Sequence, residues 1–257
     1  MYNESDIIYV YDGTFSGLMS CVFESFKRRE MPYDIVSEDE YEMSLYETIH
    51  VETNEQKAKR VISGIKTSIS LRAYFLISDG FLTNLKNKEL YILKFIYMGF
   101  CEGKKVTAML GDDTVSTLNK AVNHLGMECN HMLGFIRFSV YDDAMVSVIE
   151  PDNFVLPKIA LHFVDRYPNE NFIIYDKRHR YALISQKGNY QIIPVEEFRE
   201  PEATDDEYAY RTMWKMFYDT IEIKERANPK CMMSHMPKHY WAHMTEKQVE
   251  PVRTLNA

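Results

Sequence analysis

The sequence predicts an α+β protein, and three observations carry that assignment. Residues 134–195 alternate between strand-like and helix-like apolar spacing in the order ββαβββ. The stretch before them is dominated by segments whose apolar residues recur at helical intervals. The stretch after them returns to helical spacing and is punctuated by prolines. Side chains alternate across a strand but line one face of a helix every three or four residues, so the two periods are distinguishable by counting. The expected layout is a mostly helical region over 1–133 with one short strand, a ββαβββ module over 134–200, and a helical cap over 201–257.

Asp6 to Tyr11 reads as the first strand, ended by a turn at Asp12-Gly13. Thr14 is the expected N-cap of a helix whose apolar row is Phe15, Leu18, Met19, Val22, Phe23 and Phe26. Lys27, Arg28 and Arg29 suit the negative end of its dipole, and Pro32 lies beyond. Ser37 to Asn54 is acidic and aperiodic, a loop with short helical pieces. Helices are expected over Glu55–Ser78, broken by Asp79-Gly80, then over Leu82–Cys101 ending at Gly103, then over Val115–Met132.

In the module, Phe135 to Tyr141 is expected as a strand, with Arg137 between aromatics on one face, and Ala144 to Glu150 returns beside it. Val155, Ile159 and Phe163 align on a helix with Pro157 in its first turn, where a missing N–H costs little. Phe172–Asp176 and Arg180–Ser185 form a hairpin across Lys177-Arg178-His179, and a Gly188-Asn189 turn leads to a last strand over Tyr190–Val195. Tyr208 to Lys224 is helical. An irregular piece between Pro229 and Pro237 then precedes a short terminal helix.

Composition sets bounds on function. With 46% hydrophobic and 26% charged residues in 257, the chain is ordinary globular material with no membrane-length apolar run. Acidic residues stand at the N-terminus where a secretory signal would be basic, and the four cysteines are scattered without a CxxC pair. A cytoplasmic location with reduced thiols is therefore expected. The net charge of −8 excludes a protein that coats nucleic acid through overall basicity, so any such contact must be local. Residues 211–247 carry seven Lys and Arg against four acids, a local excess of three positive charges.

Catalytic signatures are few. Tyr11-Asp12-Gly13-Thr14-Phe15 looks like part of the phosphatase motif hhhDxDGT of the haloacid dehalogenase class. Val10, however, stands where that chemistry needs a nucleophilic carboxylate, so no aspartyl-phosphate can form. Cys231, His235, His239 and His243 recur every four residues, but Pro237 interrupts a common helix and two ligands do not make a metal site. No metal and no cofactor is expected. Glu128 and His131 stand three apart on a helix, suited to a hydrogen bond or to one edge of a metal site.

Several stretches together resemble one family: YDGTF with the helix after it (11–26), GFIRF (134–138), EPDNFVLPKIALHFVDRY (150–167), FIIYDKRHRYAL (172–183) and ERANPKCMMSHMPKHYW (225–241). The resemblance is to bacterial proteins described as DNA metabolism or DNA repair proteins, built on a domain of unknown function. Their members are encoded beside a radical S-adenosylmethionine protein of DNA modification, and some are fused to a uracil-DNA-glycosylase-like domain. The family often has an arginine after the His of its E-x-x-H piece; Met132 stands there in this chain.

The resemblance implies an accessory role on DNA, single-stranded or damaged, in concert with the radical S-adenosylmethionine partner. Arg137, a basic helix face including His162 and Arg166, the hairpin tip Lys177, Arg178 and Arg180, and Arg226, Asn228, Lys238, Tyr240 and Trp241 are the candidate contacts. Cations interleaved with aromatics suit phosphate and unpaired bases. Two alternatives stand beside it. One is a nuclease- or glycosylase-like enzyme working through Asp12, Glu128 or His131. The other is a protein–protein adaptor, whose mark would be an exposed Met and aromatic patch near Met213, Trp214 and Phe217.

Overall fold

A computed structural model describes residues 3–141, 144–199, 204–221 and 228–247. The fold is α+β, divided into two compact units, Met1–Gly126 and Met127–Ala257. The ββαβββ module and the C-terminal helices therefore share the second unit. Among the described residues no helix is long and apolar enough to cross a membrane.

In the first unit a minimal parallel pair, β1 (Asn3–Glu4) and β3 (Glu30–Met31), flanks a three-stranded parallel sheet. That sheet has β2 (Ile7–Tyr11) at its centre, between β4 (Asp34–Ser37) and β5 (Glu47–His50). Helix α1 (Phe15–Arg28) lies between β2 and β4 in the chain. Thr14 caps α1, accepting from the Gly17 N–H at 3.0 Å, and Leu18, Met19 and Val22 are buried as their spacing predicts. Arg29 closes the helix with φ 57°.

The sheet corrects the expectation of a single strand. β4 and β5 are four residues each with little apolar content, and parallel pairing leaves no hairpin signal in the sequence. The expected helix over 55–78 is α2 (Glu55–Gly64), one turn of π-helix over Ile65–Ile69, and α3 (Leu71–Phe81). The break falls at Ser70, whose extended backbone and Oγ cap α3 by accepting from Ala73 N–H at 3.0 Å. Gly80 does not break the chain: a Cβ there would sit 2.7 Å from Leu118 Cδ1, so this glycine serves close packing. Helices α4 (Lys88–Glu102) and α5 (Asp113–Phe135) follow, with Gly103 at φ 61° ending α4.

In the second unit the five-stranded sheet has the order β10-β9-β8-β7-β6: Asn189–Pro194, Tyr181–Gln186, Asn171–Asp176, Ala144–Ile149 and Ser139–Tyr141. β7 and β8 are parallel and joined through α6 (Leu156–Arg166); the other pairings are antiparallel. Leu156, Ile159, Ala160, Phe163 and Val164 form the buried face of α6, with Pro157 in the first turn. The β9–β10 turn is Lys187-Gly188, both at positive φ, so Asn189 already belongs to its strand. α7 (Asp205–Ile221) and α8 (Pro229–His235) complete the described helices. Asn228 caps α8 through Cys231 N–H at 3.0 Å, so the stretch between the two prolines is helical rather than irregular.

One difference bears on function. α5 runs on to Phe135, and β6 begins only at Ser139, so Arg137 lies in the connection and not on a sheet face. Phe135 stacks on His131 one turn earlier, 5.5 Å ring to ring, and Ile136 N–H donates to Met132 O at 3.1 Å, so helical contacts override the short alternation that follows.

Candidate functional site

Ligand sites in sheets with parallel strands form outside the carboxyl ends of those strands, because the loops there leave adjacent strands side by side. In the second unit that place is the end of β7 and β8. Ile149 and Asp176 are paired, and Lys177 N–H continues the ladder to Ile149 O at 2.9 Å. The loop after β7 begins Glu150-Pro151-Asp152-Asn153, and the turn after β8 is Lys177-Arg178-His179-Arg180.

Glu128 of α5 holds the first loop. Its carboxylate is buried, 3% exposed, and accepts from Asp152 N–H (2.8 Å), Asn153 N–H (2.8 Å) and Asn153 Nδ2 (2.6 Å). The Tyr240 hydroxyl donates to the same carboxylate at 3.4 Å, and burial followed by the nearby Glu128 charge pushes the Tyr240 phenol above its ordinary range. With these donors around it, the carboxylate caps the loop and fixes its backbone against α5. His131 lies 5.5 Å from Phe135 and 5.7 Å from Tyr240, ring to ring. Met132, Phe135, Ile149, Tyr240 and His243 line a cleft of about 10 Å³, room for about one water. In it His243 Nε2 faces Glu150 Oε2 at 3.6 Å, beyond hydrogen-bond reach.

Asp176 holds the second loop. Fully buried, it accepts from Arg178 N–H and His179 N–H, both at 3.1 Å, and meets His179 Nδ1 at 2.7 Å. This fixes the imidazole with one nitrogen on a buried carboxylate, the relation of a general base to the group that orients it. The signal was present in the sequence as Asp-x-x-His at a strand end, but without the burial of Asp176 it reads only as a turn. Phe154 lies 5.4 Å from the His179 ring and 5.1 Å from Tyr181.

The candidate nucleic-acid contacts separate into groups. Lys177, Arg178 and Arg180 are exposed together at the tip, with Arg178 Nη1 2.8 Å from Asp152 Oδ1. Arg180 holds φ 58°, a left-handed conformation in which glycine would be unstrained. His162 and Arg166 are on the exposed face of α6. Since α6 returns from the end of β7 to the start of β8, Arg166 lies at the end of the helix away from the tip. The structure does not gather that row with the hairpin.

Arg137 is directed inward. Its Nη2 and Nε bind Glu246 at 2.7 and 3.3 Å, and its Nη1 donates to Gly134 O at 2.8 Å. Burial would raise the Glu246 carboxyl, but hydrogen bonds and charge from Arg137 outweigh it and hold the group below its ordinary value. Tyr240 is likewise buried against Glu128, and Asn228 is occupied as a helix cap. Trp241 donates to Met236 O at 3.0 Å and lies under the ammonium groups of Lys238 and Lys247. Arg226 falls outside the described residues. Met236 and Pro237 separate α8 from a short 3₁₀ turn over Lys238–His243, so His235 shares no helix with His239 and His243. Among the described residues, no three His, Cys, Asp or Glu side chains stand together as metal ligands.

Asp12, in the first unit, ends β2 at its carboxyl edge. Its carboxylate accepts from Thr14 N–H (3.0 Å), Thr14 Oγ1 (2.7 Å) and Thr53 Oγ1 (2.7 Å). Burial pushes it upward, but these donors outweigh burial and hold it below the usual carboxylate range. Gly17 is required by this arrangement, since a Cβ would lie 2.1 Å from Asp12 Oδ1. Asp12 thus ties β2, the start of α1 and the segment after β5 together. It belongs to a different unit from Glu128 and His131.

The adaptor's mark is present on α7. Met213 and Phe217 are 55% and 53% exposed and Trp214 is 42% exposed.

The family model described as a domain of unknown function, DUF4130, matches residues 86–246, more than half of the chain. The match takes in Glu128, the two loops at the ends of β7 and β8, and Glu246. No curated protein matches the chain.

Proposed function

This chain belongs to the DUF4130 family, and we propose that it binds nucleic acid, single-stranded or damaged DNA, through the tip of the β8–β9 hairpin. The observation that carries this reading is the tip itself. Three cations, Lys177, Arg178 and Arg180, are exposed within four residues, beside Phe154 and the part-exposed ring of Tyr181. Cations with adjacent aromatic faces are the chemistry of backbone tracking and base stacking.

The Arg178–Asp152 pair does not close the tip. Its side chains are 50% and 40% exposed, and such surface pairs are worth about 0–1 kcal/mol, so a phosphate displaces Asp152 at little cost. Arg180 keeps a side chain at a backbone position where glycine would relieve strain. The role in DNA metabolism or repair, beside a radical S-adenosylmethionine partner, is supported by the resemblance of the sequence motifs.

Fluorescence anisotropy of a labelled single-stranded oligonucleotide against the full chain tests the reading. Affinity falls steeply as salt rises. The variant Lys177→Ala/Arg180→Ala reduces the slope of log K against log salt by about 1–2, the amount expected for two lost phosphate contacts. No binding at low salt, or binding that this variant leaves unchanged, removes the tip from consideration. A second reading, catalysis on the bound strand, is favoured by the Asp176–His179 pair alone. Strand cleavage or base loss that His179→Gln abolishes while binding persists would establish it; an intact strand leaves binding as the function.

A further inference from the structure

Helix α7 is amphipathic in the reverse sense. Its inner side meets the sheet through polar groups. Glu207, 7% exposed, accepts from Val140 N–H at 3.1 Å and from Arg211 Nε at 2.9 Å. Arg211 Nη2 donates to Ser139 Oγ at 2.6 Å, and Trp214 Nε1 to Glu246 Oε2 at 3.4 Å. Its apolar residues face solvent instead: Tyr210 is 66% exposed, Met213 55%, Phe217 53% and Ile221 59%, with Trp214 at their margin. On a helical projection these five fall within a stripe roughly 100° wide, the width that a helix ordinarily buries against a core. None of them carries a charge. An apolar stripe of this width turned to water marks a protein contact.

The spacing suits a second copy of the same helix. Tyr210, Trp214, Phe217 and Ile221 are separated by four, three and four residues, a pattern that reads the same in both directions. A two-fold axis passing between positions 215 and 216 maps these four residues onto one another. It sets Tyr210 of one chain opposite Ile221 of the other, and Trp214 opposite Phe217. That is the requirement of an isologous interface, in which one patch must be its own complement. The two helices are then antiparallel, which opposes their dipoles favourably. Aromatic side chains expose about 150–250 Å² when free, so at the exposures given the stripe offers roughly 400–700 Å² per chain. Twice that, roughly 800–1,400 Å², spans the total of about 1,000 Å² that a specific interface requires. The geometry points to a homodimer of this chain, formed by antiparallel pairing of α7 with α7 of a second copy.

Sedimentation velocity of the full chain over a dilution series tests this. Wild type sediments as a reversible dimer, and Phe217→Glu as a folded monomer whose melting no longer depends on protein concentration, since each substitution enters the two-fold contact twice. The register is tested in a Cys101→Ser/Cys231→Ser background, which removes the two exposed thiols. Oxidising a mixture of Tyr210→Cys and Ile221→Cys chains joins one to the other, whereas either chain alone stays unlinked. A wild-type monomer throughout the series overturns the proposal, as does a dimer that survives Phe217→Glu. None of these readouts depends on nucleic acid.

Discussion

Replacing Arg137 with alanine separates a structural arginine from a ligand-binding one, and the structure sets the magnitude. Glu246 is 2% exposed at its side chain and Arg137 27%, with two hydrogen bonds between them. Removing one partner of a fully buried pair costs about 3–5 kcal/mol, because the charge left behind has no solvent. Arg137 reaches water, and Trp214 still donates to Glu246, so the cost here is about 2–3 kcal/mol. At about 2–4 °C per kcal/mol, the transition of the second unit falls by roughly 4–12 °C.

The pH dependence fixes the cause. The Glu246 carboxyl is depressed in the folded chain, so its contribution is fully present above the ordinary glutamate value. It is lost as pH falls through the lower folded value. The difference between wild type and Arg137→Ala therefore narrows as pH drops below the usual carboxylate range. Thermal unfolding followed by tryptophan fluorescence reports it, since Trp214 touches the pair. A melting temperature within a degree or two of wild type, or a difference that does not depend on pH, would refute the reasoning.

Other perturbations give equally definite outcomes. Gly17→Ala drives a methyl into Asp12 and is expected to destabilise by about 1–3 kcal/mol as an overpacked site. Asp12→Ala should absorb part of that loss in a double-mutant cycle read by urea denaturation. Glu128→Gln turns an acceptor into a donor facing the Asp152 and Asn153 N–H groups, and should cost about 1–3 kcal/mol or more; hydrogen exchange at those two amides should rise first. Lys177→Ala/Arg180→Ala should leave stability within about 0.5 kcal/mol while lowering nucleic-acid affinity at low salt.

Local patterns account for much of what was legible. The apolar rows of α1 and α6 have only one face to bury, so their spacing implies the packed face directly. The parallel β4 and β5 were not legible, since each is short and its partner is remote in the chain. The candidate site divides in the same way. Asp12 and Glu128 are visible as polar residues at the right elements, but whether a carboxylate is free or saturated depends on N–H groups brought from elsewhere.

By itself the sequence determined the class of the fold, the order ββαβββ, the cationic hairpin tip, the cap at Thr14 and the place of Pro157 in the first turn of α6, because each depends on residues within a few positions. Tertiary structure alone decided the rest. It turned Arg137 inward to Glu246, 109 positions away, buried Asp176 beneath His179, and set α7 with its polar side on the sheet. The reason is common to all three: periodicity shows which residues share a face, but the direction of that face depends on what the rest of the chain places against it.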